Sequence, residues 1–355
     1  MHFKSANLYL VPILFLLVTA CTPTTVPPPP DESQQAFAPP NGQKLFILGQ
    51  ASVKHLNDYL SFFSGGSTPA GFAFYTSLSG DAPQNDMARY ITFLNDHPYS
   101  ALQLGIWTGE IRWGRPGIYL DEVINGKYDD NIENLAMASK SLNRPIYLRF
   151  GYEFDGAHNA YPPEIYKEAY RYFVDKMRSY NVNNVAYVWH SWGTTAYYDT
   201  QNYPEYYPSL GRVATQDLWY PGDEYVDWVG LSIFGSGYGN LNQNGVIQYL
   251  IEFAESKGKP VMLAETAAIK TTNQSDPNWT IPNTSWFENV FSLIDNNPSI
   301  KAFTYINVDW EGDNPSSTWG DTRIQQSTPA VRNYWQSKIA GYVYADENFY
   351  QTIGF

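Results

Sequence analysis

The chain has 355 residues, with 22 Lys and Arg against 35 Asp and Glu, a formal net charge of −13. That excess of negative charge argues against nucleic acid or an anionic membrane surface as the main partner, since both repel it. Aromatic residues make up 17% of the chain, with 29 Tyr and 11 Trp, more than a core requires; their flat faces and polar edges suit sugar rings as well as packing.

At the N-terminus, Lys4 precedes an apolar run from Leu8 to Val18, and Val18-Thr19-Ala20-Cys21 follows. This is the layout of a secretory signal with small residues before the cleavage point, and the run is too short to make a membrane span. The cysteine ending the run resembles a bacterial lipobox, so residues 1–20 are expected to be removed and Cys21 lipidated. An ordinary signal peptide with a chance cysteine is the plain alternative. Cys21 is the only cysteine, which leaves no internal disulfide. Residues 21–42 are rich in Pro and Thr without periodicity and read as a tether. Thr22 in place of Asp after the cysteine favours the outer membrane or cell surface, with the membrane contacted only through the lipid.

From Lys44 onward short β-rich runs alternate with helical stretches, the pattern of βα units around a parallel sheet. KLFILGQ (44–50) is the first expected strand, followed by a short helix over 52–63. AGFAFYTSL (70–78) is the second, with a helix around 84–97. ALQLGIWTG (101–109) is the third, with a helix over 128–142. PIYLRFGYEF (145–154) is the fourth, and Pro162-Pro163 then open a helix with apolar residues at helical spacing. NVAYVWHSWG (184–193) is the fifth, and a long Tyr- and Pro-rich loop over 194–223 leads to VDWVGLSIFG (226–235), the sixth. A helix around 245–257 precedes KPVMLAETA (259–267), the seventh. A helix over 284–297 precedes SIKAFTYINVDW (299–310), the eighth, and a helix near 328–339 closes the set. Eight such units in about 300 residues make the count of a single (β/α)8 TIM barrel, here over 43–355. No glycine-rich phosphate loop follows the first strand, which argues against a doubly wound open sheet.

Within the fourth run, strand alternation puts Tyr147, Arg149, Gly151 and Glu153 on one side. An Arg and a Glu on the inward face of a buried strand are costly unless paired. A structural ion pair is the bland explanation. The sharper one is a catalytic acid at a strand's carboxyl end, where α/β barrels keep their chemistry. Glu265 ends the seventh run and supplies a second carboxylate for the same mouth. Two carboxylates about 5 Å apart perform retaining glycoside hydrolysis, one as acid/base and one as nucleophile. Arg149 is placed to keep a neighbouring carboxylate ionised; which of the two it touches is open.

The order and spacing of these segments resemble glycoside hydrolase family 26, a retaining clan A family that includes β-mannanases and other β-glycanases. The resemblance rests on Arg149 four residues before Glu153, on NVAYVWHSWG, on YPGDEYVDWVGLSIFG (220–235) and on KPVMLAETA, and it spans roughly residues 100–310. It implies Glu153 as acid/base, Glu265 as nucleophile, and endo action on a β-linked polysaccharide such as a mannan, xylan or algal glycan. Two departures mark a divergent member: Tyr152 stands where the family usually has His, and Ser232-Ile233-Phe234 lack the usual aromatic hydroxyl that orients the nucleophile.

Arg149, Tyr152, His190, Trp192, Trp107 and Trp310 are the candidate substrate-binding residues, Trp107 and Trp310 as stacking platforms, with a structural role as the plain alternative for His190. Asp155 and His158 either orient Glu153 or bind substrate. Tyr197, Tyr198, Tyr206 and Tyr207 either line a glycan cleft or pack their loop. Five His without close pairing give no catalytic metal site; Asp129-Asp130-Asn131 and Asp309 to Asn314 are acidic clusters open to a structural calcium, with a simply solvated loop as the plain alternative. No cofactor is expected, and the protein is expected to work as a monomer. Transglycosylation with the same residues is open. A glycan-binding lipoprotein on the same barrel is the rival, disfavoured because such a protein has no need of two costly acids at one mouth.

Overall fold

A computed structural model describes residues 37–49, 52–63, 65, 67–109, 115–207, 214–235, 239–269, 280–313 and 319–355. Cys21 and the expected signal segment lie outside the described residues. Eight parallel strands close in sequence order into one barrel. They are β1 Leu45–Gly49, β2 Gly71–Ser77, β3 Ala101–Trp107, β4 Ile146–Phe150, β5 Val185–Ser191, β6 Trp228–Phe234, β7 Val261–Ala267 and β8 Ile300–Ile306. The helices are α1 Val53–Phe62, α2 Ala82–Asn95, α3 Ile118–Ile124, α4 Asp129–Leu142, α5 Pro163–Ser179, α6 Gly245–Ser256, α7 Thr280–Asn296, α8 Trp310–Asp313, α9 Pro329–Ile339 and α10 Phe349–Thr352. The chain is therefore a (β/α)8 barrel.

Local chemistry explains the boundaries. α5 starts on Pro163, carries Glu164 in its first turn and Lys176 and Arg178 in its last, all favourable to the helix dipole. Its buried Tyr166, Ala169, Tyr170, Phe173, Val174 and Met177 recur at helical spacing and pack on the sheet. Asn244 caps α6 by accepting from Val246 N and Ile247 N, and Thr328 caps α9 by accepting from Val331 N. α4 ends on Asn143 in the left-handed region, and Pro145 prevents its continuation.

Three expectations need correcting. α3 was not anticipated, because its seven residues carry too short a period to register. The eighth strand stops at Ile306, so Trp310 opens the short α8 instead of ending a strand. Residues 37–42 pack with the barrel rather than serving only as a tether: Phe37 is buried, and its carbonyl accepts from the Tyr147 hydroxyl at 2.6 Å.

Two apolar layers build the core. Outward-facing strand residues such as Leu148, Phe150, Trp189 and Leu231 pack under the helices. Inward-facing Ile47, Ala73, Tyr147, Val188, Trp228, Met262 and Ala302 fill the lower barrel. Above them the interior turns polar: Gln103 donates to the Ala264 carbonyl at 2.8 Å and accepts from Thr304 Oγ1 at 2.7 Å. That polar layer marks the floor of the site.

Candidate active site

The upper interior gathers Tyr75 from β2, Arg149 from β4, His190 from β5, Ser232 from β6 and Glu265 from β7, with Glu153 just beyond β4. Arg149 fits only because β3 has Gly105 beside it: a Cβ there would lie 3.0 Å from Arg149 Nη2 and 2.9 Å from the Tyr75 ring. The guanidinium carbon then sits 5.0 Å from the Tyr75 ring centre and 5.4 Å from that of Tyr152, a cation held between two π faces.

Arg149 settles the open pairing. Its Nη1 donates to Glu265 Oε1, in an ion pair whose side chains are 0% and 7% exposed. The same Nη1 is 3.1 Å from His190 Nδ1, and His190 Nε2 is 2.9 Å from Ser232 Oγ. Ser232 Oγ donates to Glu153 Oε1 at 2.6 Å, and His158 Nε2 lies 2.8 Å from Glu153 Oε2. A continuous chain of hydrogen bonds thus joins the two carboxylates.

Backbone irregularity aims both acids. In β7, Met262 and Ala264 point into the lower barrel, so strict alternation would turn Glu265 outward. The β6–β7 register slips there instead: Leu231 faces Leu263 and Ser232 faces Glu265, leaving Ala264 as the extra residue of a bulge. Gln103 accommodates the displaced Ala264 carbonyl, and Glu265 swings inward. At β4, alternation ends at Phe150. Gly151 (φ 56°) and Glu153 (φ 53°) both take left-handed backbone, and a Cβ on Gly151 would come within 2.9 Å of the Tyr166 ring. Glu153 therefore reaches the side that alternation assigned it, by a turn rather than by strand pleat.

The environments of the two acids differ. Burial, then the charge of Glu265, push the Glu153 carboxyl up to about 7, against the opposing hydrogen bonds from His158 and Ser232. Burial tends to lower the His158 imidazole, but its bond to Glu153 and the nearby carboxylates raise it overall. Burial and the Arg149 charge hold His190 far below the usual imidazole range, so it is neutral. Glu265 is paired with a guanidinium that stays charged.

Of the residues expected to bind substrate, Arg149 and His190 are fully buried beneath the carboxylates, where they hold other side chains and have no open face. Tyr152 is half-buried and walls the Arg149 cage. Trp192 is half-buried at the mouth, 4.9 Å from the His158 ring and 6.0 Å from Phe234, with Trp319 4.7 Å from Phe234. Trp107 is half-buried at the end of β3 against Tyr119, and Trp310 packs partly into the outer core, away from the strand-eight position expected of it. Asp155 is buried and structural: it accepts from Ser191 Oγ, Trp192 N and Gln216 Nε2 at 2.7, 2.6 and 3.0 Å, tying the end of β5 to the loop after it. Tyr197 and Tyr198 pack on the buried Tyr207, and Tyr206 lies against Arg115.

Sequence reasoning missed Tyr75. Its hydroxyl is near enough for the Glu265 charge to add to burial in raising its pKa, but falls short of a well-aligned hydrogen bond. It brings a phenol toward Glu265 from β2. The signal was its inward place in β2, two residues after Ala73. Trp319 was also missed, because it follows the last strand in a loop without periodicity.

Among the described residues no group of three or more His, Cys, Asp and Glu is placed to hold a metal. Asp129 is taken by Lys176 at 2.5 Å and Tyr172 at 2.8 Å. No described helix is long and apolar enough to cross a membrane.

The family model of glycosyl hydrolase family 26 matches residues 123–306. A β-1,3-xylanase of Vibrio sp is 30% identical over 85% of this chain and 65% of its own length. A β-1,3-xylanase of Alcaligenes sp is 30% identical over 84% of the chain and 64% of its own length, so the chain spans less than two thirds of these relatives. A family 26 β-mannanase from Bacteroides ovatus superposes with a TM-score of 0.59 at 17% identity, covering 87% of this chain and 92% of that one. A modular endo-β-1,4-mannanase from Cellulomonas fimi gives 0.59 at 18% identity, covering 88% and 74%. At such identity these structures show a shared fold.

Proposed function

Because the chain belongs to glycosyl hydrolase family 26, we propose that it is a retaining, endo-acting β-glycanase whose substrate is β-1,3-xylan. The observation that carries the reading is the asymmetry of the two joined acids. Glu153 holds a proton up to about pH 7, and Glu265 is the carboxylate locked to Arg149. The choice of xylan rests on the two β-1,3-xylanases at 30% identity.

In the first step Glu265 attacks the anomeric carbon while Glu153 passes its proton to the departing glycosidic oxygen, so the glycosidic bond breaks as the ester bond forms. Esterification removes the Glu265 charge, one of the two causes that raise Glu153. Glu153 is then a better base, and it takes a proton from the water that releases the sugar with its anomeric configuration retained. Buried Arg149 stays in place throughout and limits the motion of Glu265.

The anchoring expectation extends this proposal: Cys21, once lipidated, tethers the enzyme to the bacterial cell envelope, with the polysaccharide as its partner. Palmitate labelling of the full chain expressed in a bacterium, lost in Cys21→Ser, tests it.

The test of function is digestion of β-1,3-xylan, β-1,4-xylan and β-1,4-mannan by wild type, Glu153→Gln and Glu265→Gln. Wild type should release β-1,3-xylo-oligosaccharides with retained configuration by NMR, and Glu153→Gln should fall by about 10²–10⁴. Cleavage of mannan alone would overturn the substrate, and inverted products the mechanism. Binding without cleavage by all three proteins would leave a glycan-binding protein in its place.

A further inference from the structure

The chain between the two acids has a direction, and that direction follows from donor counts alone. Arg149 has only donors, so the His190 Nδ1 that lies 3.1 Å from it must offer a lone pair. His190 is neutral and carries one N–H, which is therefore on Nε2 and points to Ser232 Oγ at 2.9 Å. Ser232 Oγ has one hydrogen. With its lone pair engaged by His190, that hydrogen goes to Glu153 Oε1 at 2.6 Å, the acceptor it has among the described residues. Oε1 is thereby an accepting oxygen.

The two oxygens of Glu153 then differ in surroundings. Oε1 faces Ser232, which is wholly buried and backed by the buried His190. Oε2 faces His158, whose side chain is 45% exposed and which stands edge-on to Trp192 at the mouth. The second side is the one that opens toward the mouth. A proton on Oε1 would point into the protein and away from any glycosidic oxygen.

We infer that His190 and Ser232 are positioning residues that commit the acid proton of Glu153 to Oε2, the oxygen on the open side of the site. The inference deepens the hydrolase reading and rests on Glu153 being the acid. The ion pair of Glu265 with Arg149 is the fixed end of the relay: it orients the guanidinium, which sets the His190 tautomer, which sets the Ser232 hydroxyl. The state of one catalytic acid is thus tied to the proton placement of the other through three buried side chains. The strand-six segment that lacks the family's aromatic hydroxyl, Ser232-Ile233-Phe234, holds the last member of the relay.

The experiment compares wild type, Ser232→Ala and Ser232→Thr on two substrates. One is a β-1,3-xylo-oligosaccharide, whose leaving sugar needs a proton. The other is 2,4-dinitrophenyl β-xylobioside, whose leaving group departs without one. A displaced acid costs about 10²-fold when a catalytic group is misplaced. Ser232→Ala should therefore lose at least ten times more kcat/KM on the oligosaccharide than on the aryl glycoside, and Ser232→Thr should recover most of the difference. Equal losses on both, or no loss from a folded variant, would overturn the inference. Should Ser232→Ala not fold, Ser232→Cys keeps the volume and weakens the donor, and the same ranking is expected.

¹⁵N-histidine NMR of the full wild-type chain gives a readout that needs no substrate. His190 should appear neutral with its hydrogen on Nε2; a hydrogen on Nδ1, or a charged ring, would sink the relay. If wild type cuts neither glycoside, the β-1,3-xylanase reading fails by itself, and the NMR result still decides the direction of the chain.

Discussion

Arg149 on β4 reaches across the barrel to Glu265 on β7, and neither side chain exposes more than 7% of its surface. Breaking one partner of such a pair leaves a buried charge without compensation. Arg149→Met should destabilise the protein by about 3–5 kcal/mol. Glu265→Gln added to it should return part of that loss, since the stranded anion is gone; a double-mutant cycle read by thermal melting measures the coupling. Strictly additive losses would show that the pair contributes no interaction of its own.

The Glu153 carboxyl titrates near 7, well above an ordinary carboxylate. Between those values the folded protein keeps a proton that the unfolded chain has released, so stability falls as pH rises through the window. Glu153→Gln cannot ionise and escapes this loss. Its melting temperature relative to wild type should therefore be higher at pH 8 than at pH 5. Wild-type kcat/KM should decline above about pH 7 as the acid form is depleted. A Tm difference independent of pH would place the Glu153 proton elsewhere.

His158 opposes the upward shift of Glu153 through its hydrogen bond and charge. Being exposed, it can be truncated with little harm to the fold. In His158→Ala the alkaline limb of kcat/KM should move to higher pH, because burial and Glu265 then act on Glu153 with less resistance. Movement to lower pH would mean that His158 acts chiefly by displacing solvent.

Gln103 supports the β7 bulge from the opposite wall, bonded to Ala264 and Thr304. Gln103→Leu leaves the buried Ala264 carbonyl without its donor and should cost about 1–3 kcal/mol. Relaxation of the bulge should also turn Glu265 from Arg149, so kcat should fall while the far-UV dichroism of the barrel persists. Full activity in a destabilised protein would separate the bulge from the aiming of Glu265.

How much of this could be read beforehand depends on the range over which each signal acts. The eight strands came from runs a few residues long, and Arg149 from the inward register of one such run. Glu153 and Glu265 were both legible as acids at strand ends. His190 was legible as a residue of the site, but its role was not: the same inward position serves a substrate contact or a buried bridge, and the neighbours decide. Trp310 was misplaced because β8 ends four residues before it. Tyr75 gave no signal beyond its place in an apolar strand.

The sequence by itself determined the barrel, the two carboxylates and the buried arginine, because a period of two along a strand and near four along a helix is a property of neighbouring residues. Tertiary structure decided which carboxylate Arg149 holds, how Glu265 turns inward, and which way the hydrogen bonds run. Those depend on partners far apart in the chain: Gln103 and the Ala264 carbonyl are 161 residues apart, and Arg149 and Glu265 are 116 apart. Donors and acceptors at such separations meet only when the barrel closes, and the slip at Ala264 reverses the one local rule that would have pointed Glu265 the other way.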